Sequence, residues 1–160
     1  HLSLRRQRQM CIRDSLESIK PYLQPGTVVT DAGSIKGEVV TTARAVLGDK
    51  IAQFVPGHPI AGLEANGPEA AIPDLYIGKK VVLTPLAENS AEDVALVAQA
   101  WQQCGAIIHQ LTPENHDAVF AAVSHLPHLL AYALVTILRT SRMLTCCSSM
   151  RPAASATSRG

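Results

Sequence analysis

The chain has 160 residues, of which 47% are hydrophobic and 17% are charged. That composition supplies a core and suits one domain or parts of two. The formal net charge of +1 gives no electrostatic indication of a nucleic-acid partner or an anionic membrane. The longest apolar run, Leu126 to Leu138, is interrupted by Pro127, so we predict that it is too short to cross a bilayer.

Four cysteines show neither CxxC spacing nor a disulfide framework, which predicts a reducing, cytoplasmic location. The two ends of the chain differ from its middle. Residues 1–15 have no helical or strand period and no signal peptide, so we interpret them as a non-native leader. The period is lost again over residues 136–160.

The first predicted elements form a helix, a strand and a second helix. Leu16, Ile19 and Leu23 fit one face of a short helix, and the β-branched run 27–30 predicts a buried strand. A helix that ends at Gly48 follows. Ser34 is predicted to cap its amino end, where a polar or anionic ligand is favoured. Lys36 and Glu38 are predicted to be solvated helix charges.

The next elements complete an α/β pattern. We predict strands over 51–55, 80–84 and 106–111, a loop over 65–73, and a helix that begins at the capping box of Ser90 and Asp93. This order predicts an α/β fold with a largely parallel sheet. Residues 16–112 would form this domain.

A longer helix is predicted after Thr112. Thr112 caps it, Pro113 takes the first helical position, and Glu114 favours the positive end of the helix dipole. Apolar residues then recur at helical spacing. We predict that residues 113–135 open a second, all-helical domain and are buried between partners.

His58 is the first candidate catalytic residue. Pro59 biases it toward an extended conformation, and Gly57 allows a sharp turn before it. The imidazole would then lie at the end of a strand, where α/β enzymes place reactive groups. A loop histidine that happens to precede a proline is the alternative.

Ser34 also follows the carboxyl end of a predicted strand, so both side chains would open onto one rim of a parallel sheet. A serine hydroxyl there can orient an imidazole, whereas the absence of Gly-x-Ser-x-Gly disfavours a serine hydrolase. Glu64 is a site candidate because it follows the histidine, although a plain loop carboxylate is the alternative. His109 is predicted to be structural.

His125 and His128 lie three residues apart in the long helix. Pro127 cannot donate to the carbonyl of Val123, so the helix should kink or loosen there and project His125 toward a cleft. Metal ligands, buried structural histidines and substrate-contacting side chains are all open. The third is favoured, because no carboxylate or cysteine in the motif completes a metal site and ligand sites form at domain interfaces.

Three blocks in this order resemble the prephenate/arogenate dehydrogenase family of tyrosine biosynthesis. The resemblance extends from about Leu16 to Val135, with Leu83-Thr84-Pro85 and Trp101 also in place. The blocks are Asp31-Ala32-Gly33-Ser34-Ile35-Lys36-Gly37, Gly57-His58-Pro59-Ile60-Ala61-Gly62 with Glu64, and His116-Asp117 leading to Ser124-His125-Leu126-Pro127-His128.

The resemblance implies the C-terminal part of a Rossmann-type nucleotide-binding domain, followed by the first helix of an all-helical dimerisation domain. It implies oxidative decarboxylation of prephenate or arogenate with NAD or NADP, in a homodimer when the protein is complete. His58 would accept the hydroxyl proton or hydrogen bond, because an imidazole is largely neutral near pH 7. Ser34 would bond the substrate or His58 beside the nicotinamide, near Gly33, and His125 and Glu64 would line the substrate pocket.

Two family features are missing from the sequence as printed: the Gly-x-Gly-x-x-Gly turn and an arginine after a Gly-Gly-Phe-x-Asp-Phe-Thr run. Back-translation of Met150 to Arg159 in a shifted frame can give Tyr-Ala-Ala-Gly-Gly-Phe-Arg-Asp-Phe-Thr-Arg, so we interpret 136–160 as a frameshifted tail. We therefore expect a fragment with no detectable dehydrogenase activity by itself.

Two alternatives stay open. One is another two-domain hydroxyacid dehydrogenase, such as the β-hydroxyacid type, although residues 114–138 lack the lysine which that chemistry would want. The other is a non-catalytic ligand-binding or dimerisation module. The sequence does not decide between NAD and NADP or between prephenate and arogenate.

Overall fold

The structure is a computed structural model that describes residues 12–62 and 68–140. It divides into two units, with the boundary after Val119. In chain order the helices and strands are α1 (12–19), β1 (Val29–Thr30), α2 (Gly37–Leu47), β2 (Phe54–Val55), β3 (Gly57–Ile60), β4 (Lys80–Leu83), α3 (Ala91–Gln103), β5 (Ile107–Gln110), α4 (Pro113–Phe120) and α5 (Leu126–Thr140).

The strands form two small sheets. β1 and β2 are parallel, with Thr30 opposite Val55. The second sheet has the order β3-β4-β5, in which β4 is parallel to β5 and antiparallel to β3. The predicted α/β class is confirmed. The expectation of a largely parallel sheet is wrong for β3, because the chain passes through Pro56 and pairs its next four residues with β4 in the opposite direction.

The first core lies around α1, α2 and β2. Leu16 and Leu23 are buried there, as the predicted helical face requires. The face of α2 toward this core buries Val39, Val40, Ala43, Val46 and Leu47. A second core joins β2 and β4 to α3 and contains Val55, Val81, Leu83, Val97 and Ala106.

The strand predicted over 51–55 is shorter than expected. Residues Gly48–Gln53 form a 3-10 helix, so only Phe54 and Val55 are extended. Gly48, with φ of 60°, ends α2 as predicted. The long helix after Thr112 is confirmed. Thr112 caps it as predicted, because the Thr112 Oγ1 accepts a hydrogen bond from Asn115 N at 3.2 Å.

The chain loosens before Pro127 as predicted. Ala121–His125 forms a π-helical turn between α4 and α5, and such turns relieve the loss of a backbone hydrogen bond at proline. The helix nevertheless runs without a break from Pro113 to Arg139. By length and composition alone these 27 residues would be sufficient to cross a membrane, which corrects our expectation that the apolar run is too short.

Core helices of soluble proteins satisfy the same criterion. The apolar side chains of α5 are exposed within this chain, Leu129 at 65% and Tyr132 at 72%.

Residues 1–11 and 141–160 lie outside the described residues. Residues 12–15 of the predicted leader are helical, whereas the origin of the leader and the shifted frame stay predictions.

Candidate active site

Asp31 connects the loop after β1 to the start of β3. Its Oδ1 accepts a hydrogen bond from Gly57 N at 3.0 Å, and its Oδ2 accepts one from Gly33 N at 2.8 Å. The same Oδ2 also accepts a hydrogen bond from Lys36 Nζ. One carboxylate therefore fixes two segments that come from different strands.

Lys36 is fully buried, with 0% of its surface exposed. Its Nζ donates to Asp31 and to the carbonyl oxygen of Gly57, the latter at 2.6 Å. Burial lowers the pKa of Lys36, and the charge and hydrogen bond of Asp31 oppose that shift. The prediction that Lys36 is a solvated charge is wrong, because the ammonium finds two oxygen acceptors inside the protein. Glu38 is exposed, as predicted.

The amino end of α2 is capped from α4. The carboxylate of Asp117 accepts hydrogen bonds from Lys36 N and Gly37 N, both at 2.8 Å. The N-cap residue is Lys36, whose own side chain makes no capping bond. The prediction that Ser34 caps α2 is therefore wrong. A carboxylate meets the positive end of the helix dipole more favourably than a hydroxyl does.

Asp117 also bonds the histidine that precedes it. Its Oδ1 lies 2.8 Å from His116 Nδ1, and His116 Nε2 lies 2.9 Å from His58 Nδ1. The two rings meet edge to face, with centroids 5.1 Å apart. Burial alone would raise the pKa of Asp117, but the bonds from Lys36 N, Gly37 N and His116 outweigh it and lower that pKa. The carboxylate is thus ionised at neutral pH behind a pair of histidines.

His58 itself is half-buried in β3, opposite Val82. Its extended backbone agrees with the effect expected of Pro59. Gly57 has no positive φ, so the predicted sharp turn is wrong. The glycine serves close packing, because a Cβ there would lie 3.1 Å from the carbonyl oxygen of Asp31.

Gly33 allows an even closer approach. A Cβ at this position would lie 2.8 Å from Asp31 Oδ2 and 3.6 Å from Lys36 Nζ. Any larger residue would therefore push the carboxylate from its place.

Ser34 is exposed in the loop between β1 and α2. The loop is bonded to the residue before His58 through Asp31, and β1 and β2 run parallel. The two residues nevertheless do not share the rim of one parallel sheet, as predicted, because His58 lies within β3 of the second sheet and β3 is antiparallel to β4. Contact between the Ser34 hydroxyl and His58 stays a prediction.

The other predicted site residues lie elsewhere. His125 is exposed in the π-helical turn, and His128 is exposed in α5, where its Nδ1 lies 2.7 Å from the carbonyl oxygen of Ser124. Both belong to the second unit. Neither is a buried structural histidine within the described part of the chain. Glu64 lies outside the described residues. His109, which was predicted to be structural rather than part of the site, is exposed on β5.

Asp31, Lys36, His116 and Asp117 were given no chemical role from the sequence. A signal existed for three of them. Asp31 directly follows a β-branched strand, and His116-Asp117 occupies the first turns of a helix that opens a new segment. No local pattern indicated that Lys36 is buried or that α4 would cap α2, because both depend on contacts between distant parts of the chain.

A cavity of about 350 Å³ opens at the carboxyl end of β1. It is mostly apolar, and Asp31 and Gly33 lie on its wall. Its lining residues are Ile12, Ser15, Leu16, Ile19, Val29, Thr30, Asp31, Ala32, Gly33, Val39 and Phe54. Over residues 12–62 and 68–140, no three His, Cys, Asp or Glu side chains form a group that could hold a metal ion.

Two family models match the chain and together cover most of it. The model for the prephenate dehydrogenase nucleotide-binding domain matches residues 10–110. The model for the prephenate dehydrogenase dimerisation domain matches residues 112–156. The boundary between the two matches falls just before the long helix that begins at Pro113.

Individual relatives agree. A cyclohexadienyl dehydrogenase of Zymomonas mobilis is 39% identical over 118 residues, which are 74% of this chain and 40% of that protein. The prephenate dehydrogenase of Aquifex aeolicus, solved with hydroxyphenyl propionate and NAD+, is 41% identical with a TM-score of 0.74, over 81% of this chain and 44% of that one. The arogenate dehydrogenase of Synechocystis is 30% identical with a TM-score of 0.71, over 89% of this chain and 50% of that one.

The chain thus spans about half the length of these relatives or less. It combines residues of a Rossmann-type nucleotide-binding domain with residues of a helical dimerisation domain, in the order that the family has. The chain belongs to the prephenate dehydrogenase family.

Proposed function

We propose that this chain is part of an NAD(P)-dependent dehydrogenase that oxidises and decarboxylates prephenate or arogenate. The observation that carries the proposal is the hydrogen bond between His58 Nδ1 and His116 Nε2, at 2.9 Å, with the Asp117 carboxylate behind it. An imidazole supported in this way is suited to accept a proton from an alcohol. Membership of the family supplies the reaction class.

The reaction needs one proton acceptor at the alcohol. The carbon that bears the hydroxyl loses hydride, and its O–H proton moves to His58. The ring carboxylate leaves as carbon dioxide, and its bonding electrons make the ring aromatic. The resulting phenolate oxygen takes the proton back from His58. The products are 4-hydroxyphenylpyruvate from prephenate or tyrosine from arogenate.

Ser34 would orient the substrate hydroxyl or His58 from the neighbouring loop. His125 and Glu64 would line the substrate pocket. These roles rest on the family resemblance and on the positions of the side chains in the sequence. The hydrogen bonds that Asp31 accepts from Gly57 N and Gly33 N support the role of Ser34, because they hold the Ser34 loop against the start of β3.

The chain contains some, but not all, of the residues that would bind the cofactor. NAD or NADP, when bound, supplies the hydride acceptor. The cavity at the carboxyl end of β1 has a wall formed by Gly33 and is of a size that ligand sites commonly have. Gly33 and Ser34 would lie against the nicotinamide. The 160 residues contain no Gly-x-Gly-x-x-Gly turn for the pyrophosphate.

The exposed apolar side chains of α5 support assembly with a second copy of the protein. Leu130, Leu134 and Ile137 are each at least 57% exposed, and burying them would gain about 25 cal/mol per Å² of apolar surface. We propose a homodimer of the complete protein in the cytoplasm.

A segment exchange tests the function. In the Zymomonas mobilis cyclohexadienyl dehydrogenase, residues 16–135 of this chain would replace the matching segment. We expect reduced nicotinamide to form with prephenate or arogenate when NAD+ or NADP+ is supplied, because the host enzyme contributes the Gly-x-Gly-x-x-Gly turn that these residues lack. The 160-residue chain alone should form none.

The second candidate function is a non-catalytic binding module. A folded exchanged protein that binds prephenate in a calorimetric titration, but forms no reduced nicotinamide with either cofactor, would overturn the proposed dehydrogenase role. It would favour the module.

A further inference from the structure

We infer that His116 and Asp117 are positioning residues which hold the His58 ring in the form that carries hydrogen on Nδ1 and the lone pair on Nε2. The inference rests on the proposed function for its catalytic meaning. The hydrogen-bonded chain from Asp117 through His116 to His58 is itself independent of that function.

The direction of the hydrogen bonds follows from the first member of the chain. An ionised carboxylate only accepts hydrogen bonds. The bonds from Lys36 N and Gly37 N keep Asp117 ionised, and they leave its Oδ1 2.8 Å from His116 Nδ1. His116 Nδ1 must therefore carry hydrogen and donate to Asp117.

A neutral histidine has one donor nitrogen and one acceptor nitrogen. With its hydrogen on Nδ1, His116 has its lone pair on Nε2. His58 Nδ1 lies 2.9 Å from that nitrogen, so with both rings neutral His58 Nδ1 is the donor. The hydrogen of neutral His58 is then on Nδ1, and Nε2 is the nitrogen able to accept a proton.

The hydrogen bonds that link Asp117, His116 and His58 also stabilise the charged form of His58. After Nε2 takes the alcohol proton, His58 is an imidazolium whose Nδ1–H still donates to His116. The negative charge of Asp117 lies at the far end of this chain. Among the residues that the structure describes, Asp31 is also close to His58, but its charge is paired with the ammonium of Lys36, so we assign support of the cationic ring to Asp117.

His116 is well suited to a relay because it is fully buried, with 0% of its surface exposed. It lies in α4, whereas His58 lies in β3. The helix that opens the dimerisation segment therefore orients the imidazole of the nucleotide-binding segment. In the serine protease triad, a change that puts the histidine in the wrong tautomer lowers kcat by about 10⁴-fold.

Two substitutions of His116 separate positioning from packing. His116→Gln can keep both hydrogen bonds, because the glutamine amide nitrogen can donate to Asp117 while its oxygen accepts from His58 Nδ1. His116→Leu fills a similar volume and leaves Asp117 bonded to α2, but it removes both hydrogen bonds of the relay. Glu88→Gln alters an exposed carboxylate and is the control.

The tautomer of His58 is read directly by NMR of the 160-residue chain labelled with ¹⁵N-histidine. The inference predicts hydrogen on Nδ1 in the parent, in His116→Gln and in Glu88→Gln, and a mixture of tautomers in His116→Leu. A parent chain with hydrogen on Nε2 of neutral His58 would overturn it. So would a His116→Leu variant that is folded and keeps the parent tautomer.

Kinetics of the exchanged enzyme give the second measurement. His116→Leu should lower kcat by on the order of 10²- to 10⁴-fold with a small change in KM, and His116→Gln should stay within about tenfold of the parent. Equal kcat values for Leu and Gln would contradict the inference. An exchanged enzyme without turnover would contradict the proposed function alone, since the NMR result decides the tautomer separately.

Discussion

The ammonium of Lys36 donates a hydrogen bond to the carbonyl oxygen of Gly57, at 2.6 Å, one residue before His58. A buried cation therefore holds the backbone that carries the proposed base. The same ammonium bonds Asp31, whose carboxylate accepts hydrogen bonds from Gly57 and Gly33. The loop after β1 and the start of β3 form one hydrogen-bonded assembly.

Removing the Asp31 charge from the Lys36–Asp31 ion pair should destabilise the folded protein. Asp31→Asn leaves the Lys36 charge buried without its counterion, and we expect a loss of about 3 to 5 kcal/mol in the free energy of unfolding. Lys36→Met should cost less, because Asp31 is 22% exposed and keeps two backbone donors. Urea unfolding followed by circular dichroism at pH 7 measures both. A smaller loss for Asp31→Asn than for Lys36→Met would contradict this assignment.

The capping role of Asp117 predicts a pH dependence. Its pKa is lowered below the ordinary value of 3.8, so the folded state prefers the ionised form. The resulting stabilisation is present above pH 3.8 and is lost as the pH falls through the lower, folded-state pKa. The difference in unfolding free energy between the parent and Asp117→Asn should therefore be largest above pH 4 and shrink in acid. A difference that grows in acid would refute this role.

Gly33 and Gly62 form a matched pair of glycine substitutions. A Cβ on Gly33 would contact Asp31 Oδ2 at 2.8 Å, whereas one on Gly62 would meet no atom of the described residues within 4 Å, and neither glycine has a positive φ. We expect Gly33→Ala to lower the melting temperature and Gly62→Ala to leave it almost unchanged or to raise it. Calorimetry of the two variants checks this, and equal melting temperatures would argue against the close approach.

Thr84 offers a stabilising change. Its Oγ1 is buried and has no hydrogen-bond partner among the described residues, so the folded state bears the desolvation cost of a hydroxyl. Thr84→Val removes that cost at nearly the same volume. We expect a gain of about 1 kcal/mol in the free energy of unfolding, measured in urea. A loss of more than about 1 kcal/mol would indicate that the hydroxyl has a partner.

Sequence reasoning predicted the elements whose signals are local. The apolar face of α2, the cap at Thr112 and the loosened turn before Pro127 each follow from a few neighbouring residues, and the structure has all three. The reversed strand β3 was missed because strand direction depends on pairing with β4, whose partner residues lie 20 to 26 positions further along the chain. Element boundaries near 51–53 were missed because Ile51 is apolar enough for either a strand or a 3-10 helix.

The candidate site shows the same division. His58 was found because glycine and proline around it restrict the backbone. Its partners His116 and Asp117 are 58 and 59 residues further along the chain, and only the fold brings them together. Ser34 was assigned the cap of α2 because serine is a common local cap, but a carboxylate from α4 occupies that position instead.

The proposed dehydrogenase role depends most on His58 as the proton acceptor. In the exchanged enzyme, His58→Gln should lower kcat by on the order of 10²- to 10⁴-fold with prephenate or arogenate, while KM changes little. His109→Gln, an exposed histidine on β5, is the control and should match the parent. A His58→Gln enzyme that turns over at the parent rate would contradict the role of His58 as the proton acceptor.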